Sequence, residues 1–78
     1  MNELELKEMN QEQIVYRYKP EGEGDFGEVT YVFKDKQAVL TKKSSADATG
    51  QYGNKAILKI EKCVDNNNLP LRFTQAWY

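Results

Sequence analysis

Three runs between Ile14 and Lys43 alternate apolar and polar residues, while the apolar residues between Ala56 and Val64 recur at every third or fourth position. A strand sends successive side chains to opposite faces, whereas a helix gathers positions i, i+3, i+4 and i+7 on one stripe. A chain of 78 residues that passes between these periods has few options. A sheet with one apolar face and a single amphipathic helix must bury those surfaces against each other.

The runs can be placed individually. In "IVYRYK", Ile14, Tyr16 and Tyr18 share one face and Val15, Arg17 and Lys19 the other, and Pro20 ends the strand because it has no ladder donor. "EVTYVFK" sets Val29, Tyr31 and Phe33 against Thr30, Val32 and Lys34, and "KDKQ" has hairpin length. "AVLTKK" then places Ala38, Leu40 and Lys42 opposite Val39, Thr41 and Lys43. These three strands read as an antiparallel meander.

After the polar loop "SSADATGQYG", the residues Ala56, Ile57, Ile60, Cys63 and Val64 form the helical stripe, with Asn54 as the expected N-cap. "DNNN" and Pro70 stop the helix. "LRFTQAWY" alternates again and reads as a final strand, with a short helix after Pro70 as the rival. Residues 1–13 are polar and read as a flexible arm, or as a short edge strand carrying Leu4 and Leu6. The expected fold is α+β, in the order β-β-β-α-β: a three-stranded antiparallel meander, one covering helix and a C-terminal strand, with residues 14–78 as one domain.

Several chemistries are excluded by residue type. The chain has no histidine and a single cysteine, Cys63. A Ser-His or Cys-His nucleophile is impossible, as is an internal disulfide, and a zinc cluster lacks its ligands. Ser44 and Ser45 follow Lys42 and Lys43, but a Ser-Lys dyad needs a desolvated lysine and this stretch is polar. The net charge of −1 lacks the basic excess of a duplex-binding protein. No apolar run approaches the ~20 residues of a membrane-spanning helix. "MNELELKEMN" lacks the basic start of a signal peptide, so a cytoplasmic protein is expected. No catalytic residue, metal site or cofactor is expected.

One stretch does match a functional pattern. "GEGDFGEV", from Gly22 to Val29, fits G-x-G-x-x-G-x-V and resembles the glycine-rich loop of protein kinases. The resemblance covers about fifty residues in order. It implies a phosphate cradle at Gly22, Gly24 and Gly27, a lysine at Lys42 or Lys43, and a helix glutamate at Glu61. It lacks the second lobe that supplies the catalytic aspartate and the magnesium ligands, and "DFG" at Asp25–Gly27 lies inside the loop itself. Glu21, Glu23, Asp25 and Glu28 surround the cradle with negative charge. The structural reading is that the glycines supply positive-φ positions for a wide turn. Nucleotide or phosphate binding through Gly22, Gly24, Gly27 and Lys42 is the alternative. The acids at 21, 23 and 25 lack the arrangement of a calcium loop, because Phe26 stands where the turn glycine belongs.

The remaining candidates are aromatic. Tyr16 and Tyr18 interleave with Arg17 and Lys19 as in a sheet that stacks single-stranded bases, but the period puts rings and cations on opposite faces. Trp77 and Tyr78 either close the core from a central last strand or form a contact for a partner or a second copy, giving a homodimer. Tyr52, between Gly50 and Gly53, is a third interface candidate. Cys63 lies on the apolar stripe and reads as a buried hydrophobe. In texture, "YRYKPEGEGDFGEV" and "LPLRFTQAWY" resemble small bacterial proteins of Gram-positive type, a resemblance that implies a free-standing cytoplasmic protein and carries no active-site residues. The expected role is a non-enzymatic binding or protein-interaction module.

Overall fold

Every alternating run becomes a strand, and so does the polar segment at the start. In the computed structural model, which describes residues 1–76, the strands are β1 (Asn2–Met9), β2 (Gln13–Pro20), β3 (Gly27–Val32), β4 (Gln37–Lys42) and β5 (Arg72–Gln75). They form one antiparallel sheet in the order β4-β3-β2-β1-β5. The helix α1 (Gln51–Asp65) lies between β4 and β5 in the chain, so the connection runs from one edge of the sheet to the other. Its apolar stripe covers one face on the way.

The expected three-stranded meander is therefore too small. β1 is neither an arm nor an edge: it pairs with β2 on one side and β5 on the other. Leu4 and Leu6, two apart, lie on one face of it. Leu4 sits opposite Tyr18 and Leu6 opposite Tyr16 beneath the helix, while Glu5 faces Arg17 on the other side of the sheet. A register shift between Leu6 and Glu8 makes Lys7 an extra residue, after which pairing resumes with Glu8 opposite Val15 and Met9 opposite Ile14. β5 is an edge strand, as β4 is at the other side, and not a central one.

The core consists of Leu4, Ile14, Tyr16, Tyr18, Val29, Tyr31 and Ala38 from the sheet against Ala56 and Ile60 from α1. Full burial of a side chain such as Ile60 contributes about 1.5–3 kcal/mol relative to exposure. Cys63 is a buried free thiol on the same stripe. Phe33 lies beyond the end of β3, partly exposed, with its ring edge-on to Tyr31.

The helix starts earlier than its apolar stripe indicates. Gly50, at φ 76°, is the N-cap residue and has no side chain to cap with. Asp47 does the work instead: Oδ1 accepts from the Tyr52 amide at 3.0 Å and Oδ2 from the Gly53 amide at 2.9 Å. Asn54 thus lies inside the helix and not at its cap. Gly53 lets α1 approach the sheet, since a Cβ there would stand 2.8 Å from Leu40 Cδ1. At the other end Asn67 adopts φ 53°, and the amides of Asn67 and Asn68 return to the carbonyls of Val64 and Cys63. This is a Schellman stop built with asparagine in the left-handed position. Among the described residues no helix is long and apolar enough to cross a membrane.

Candidate functional site

The glycine loop between β2 and β3 is held by its own backbone. The amides of Gly22 and Glu23 donate to the carbonyls of Lys19 and Pro20 at 3.3 and 2.8 Å. Gly22 and Gly24 take φ 72° and 77°, the left-handed geometry expected of a turn, and Glu21 joins them at φ 51°. Gly27 has a different role. It starts β3 opposite Tyr18, and a Cβ there would lie 2.2 Å from Tyr18 Cε1. The position is glycine because the tyrosine ring occupies the side-chain space.

Tyr18 uses that space to reach the next loop. Its hydroxyl donates to Asp47 Oδ2 at 2.8 Å and accepts from the Ser44 amide at 3.2 Å. Burial is the main cause that pushes its phenol up from 10.0 to about 12; the Ser44 amide pulls the other way and the Asp47 carboxylate raises it further. Tyr16 is likewise pushed up to about 12, mainly by burial, and donates to the Pro70 carbonyl at 2.6 Å. Both tyrosines are therefore beneath the helix, as their period indicated.

The tip of the glycine loop is latched to the loop after β4. Asp25 Oδ1 accepts from the Ser45 amide at 2.7 Å and the Ser45 hydroxyl at 2.6 Å, and Ser44 Oγ lies 2.6 Å from the Asp25 carbonyl. The Ser45 hydroxyl, then its amide, holds the Asp25 carboxyl down at about 2. The corner is closed on its other side by Glu21, which pairs with the N-terminal ammonium and accepts from the Tyr52 hydroxyl at 3.0 Å. Those two donors lower the Glu21 carboxyl, and Glu21 in turn raises the Tyr52 phenol.

What the latched loop presents is Phe26. Its ring lies on the face of the sheet that α1 leaves open, with Arg17 Cζ 4.1 Å and Lys19 Nζ 4.5 Å from the ring centroid. Such cation–π contacts contribute about 0.5–1 kcal/mol each at exposed sites. Arg17 also pairs with Glu5, which Arg72 approaches at 3.4 Å from β5. Beside the ring runs a groove of about 390 Å³ bordered by Phe26, Glu3, Glu5, Arg72 and Thr74. An aromatic ring, the carboxylates of Glu3 and Glu5 and the Arg72 guanidinium thus border one groove across β1 and β5. The set can bind; it holds a stacking surface and charges of both signs.

The residues singled out in the sequence do not all gather here. Gly22 and Gly24 shape the loop, and Gly27 admits Tyr18. Lys42 is exposed on β4 opposite Glu28, because a register shift between Glu28 and Val29 changes its partner. Glu61 makes no lysine pair of the kinase kind: its carboxylate accepts from the Ala38 amide at 3.0 Å. Tyr52 sits in the first turn of α1 and not in a flexible loop. Trp77 and Tyr78 lie outside the described residues.

The sequence reading missed Phe26, Glu3, Glu5 and Arg72. One signal pointed to the first. A phenylalanine in an acidic, glycine-rich loop needs cover, and Arg17 and Lys19 on the preceding strand offer it on a single face. Comparison with known protein families, curated proteins and solved structures returns no match to this chain.

Proposed function

We propose that this chain is a non-enzymatic binding module whose site is the open face of its sheet, and that its ligand is an extended segment of a protein partner. The observation that carries this reading is Phe26, folded back from the glycine loop over Arg17 and Lys19 to wall the groove along β1 and β5. A peptide offers what that groove complements: apolar side chains for the ring, and charges for Arg72 and Glu3. Aromatic and arginine side chains in combination are the usual anchors of protein contacts. A second copy of the chain is one such partner. A cytoplasmic setting belongs to the same reading, supported by a lone, buried, free Cys63.

Phosphate binding by the glycine loop is the weaker alternative, because two of its amides already serve Lys19 and Pro20 and its carboxylates crowd the corner. The single-stranded nucleic-acid reading is weakened by Glu3 and Glu5, which share the groove with Arg72.

The test is affinity capture with the wild-type chain, Phe26→Ala and the exposed turn variant Lys34→Ala, followed by direct binding to each captured protein. A partner retained by wild type and Lys34→Ala but lost by Phe26→Ala supports the groove. A partner held equally by all three, or a rise in melting temperature with ATP and magnesium that Gly24→Val removes, defeats it.

A further inference from the structure

The outer side of α1 carries a second feature that the open-face groove does not use. Leu58 is 66% exposed there. Lys59, Lys62 and Gln75 border with it a groove of about 390 Å³. Lys59 and Lys62 stand three apart on the helix, a spacing that brings their like charges together.

The usual relief would be an acid three or four residues away, and α1 offers only Asp65, three after Lys62, with no ion pair between the two. Glu61 turns its carboxylate to the Ala38 amide of β4, where it covers the edge of the sheet. Among the described residues neither Lys59 nor Lys62 joins an ion pair. Glu21 and Asp25 are engaged elsewhere, Glu21 by the N-terminal ammonium and the Tyr52 hydroxyl and Asp25 by Ser45. In a chain of net charge −1, α1 thus presents two lysines beside an exposed leucine.

We propose that this helix face docks an acidic segment of a protein partner, with an apolar side chain set against Leu58 and carboxylates placed against Lys59 and Lys62. The proposal rests on the reading of the chain as an interaction module and gives it a second surface, chemically unlike the first. Charge complementarity selects the occupant. A nucleic acid would gain little, since neutralising so few phosphates releases few counterions and a leucine offers the backbone nothing. A membrane surface would need an apolar stripe, and that of α1 is already buried on the sheet.

The experiment is a titration of ¹⁵N-labelled protein with a synthetic peptide of glutamate and leucine, read by amide shifts. Expected are saturable shifts confined to residues 55–62 and Gln75, lost at about 0.5 M salt, where screening is strong. The double variant Lys59→Glu/Lys62→Glu should weaken binding by roughly tenfold or more, and Leu58→Ser should weaken it with the salt dependence kept. The same peptide with serine for leucine should bind less well. Absence of shifts, shifts at Glu3, Phe26 and Arg72 instead, or a stronger response to an oligothymidylate or to anionic phosphatidylserine vesicles would overturn the proposal. Phe26→Ala is the internal control. Its failure to alter partner capture defeats the open-face reading, whereas the lysine and leucine variants address this surface alone.

Discussion

The two faces of one sheet are built by different rules. Beneath α1, position after position is fixed by shape: Tyr18 fills the space that Gly27 leaves, Gly53 lets the helix approach Leu40, and Asp47 ties the start of the helix to the Tyr18 hydroxyl. On the open face the same strands present Glu5, Arg17 and Lys19, whose partners are other charges and one aromatic ring. The comparison teaches where tolerance lies. The covered face is specified by packing, which answers to a single methyl group. The open face is specified by charge and is free to vary for a ligand.

The sharpest way to break this contrast is at Gly27. An alanine there must displace the Tyr18 ring, which is fully buried, so Gly27→Ala should lose about 2–4 kcal/mol in urea unfolding. Gly22→Ala meets only the end of the Glu3 side chain and incurs the left-handed backbone penalty, about 1–2 kcal/mol. Equal losses at the two glycines would mean that the loop, not the packed face, sets stability.

These two glycines also mark how far the sequence could be read. The switch of period placed β2, β3, β4 and α1 and assigned Tyr16 and Tyr18 to the core, because both signals are local. For residues 1–13 the sequence left arm and edge strand open, because the apolar half of β1 amounts to Leu4 and Leu6, and only their alignment with Tyr18 and Tyr16 places the strand inside the sheet. The helix start was misplaced because its cap comes from Asp47, outside the local N-cap pattern. The Gly27 role was invisible for a related reason: a missing Cβ shows in a sequence only as freedom of the backbone, never as room for a ring on the next strand. The candidate groove suffered most, since Phe26, Glu5 and Arg72 come from a loop, the first strand and the last.

A second prediction follows from the cap. Asp47→Ala removes the acceptor for two helix amides and leaves the buried Tyr18 hydroxyl without its carboxylate. Loss of a cap and of one buried partner together should lower stability by about 2–3 kcal/mol. Amide exchange should quicken first at Tyr52 and Gly53, ahead of the rest of α1. Uniform quickening along the helix would mean that the tie to Tyr18, not the cap, is what matters.

The open face should answer more mildly. Phe26→Ala removes a ring from two cations and should lower stability by about 1 kcal/mol, while Phe26→Leu keeps the apolar cover and loses the cation–π part. Partner capture should fall much further than stability in both. If binding and stability fell in proportion, Phe26 would be a piece of the fold that happens to face outward.

The smallest effect is expected at the latch, and it tests how the two faces are joined. The Asp25 carboxyl is held down at about 2, first by the Ser45 hydroxyl and then by its amide, against 3.8 for the free group. A depressed carboxyl favours the folded latch above the free value and loses that contribution as pH falls through the folded one. Between about pH 4 and pH 2, then, the Ser45 amide and the Phe26 ring resonances should shift together while the resonances of Tyr18 and Ile60 stay in place. Asp25→Asn should reproduce the released spectrum at neutral pH. Phe26 resonances that ignore both the acid titration and the substitution would separate the ring from the latch. The stacking on Arg17 and Lys19 alone would then hold the wall of the groove, and the glycine loop would be no more than a connection between β2 and β3.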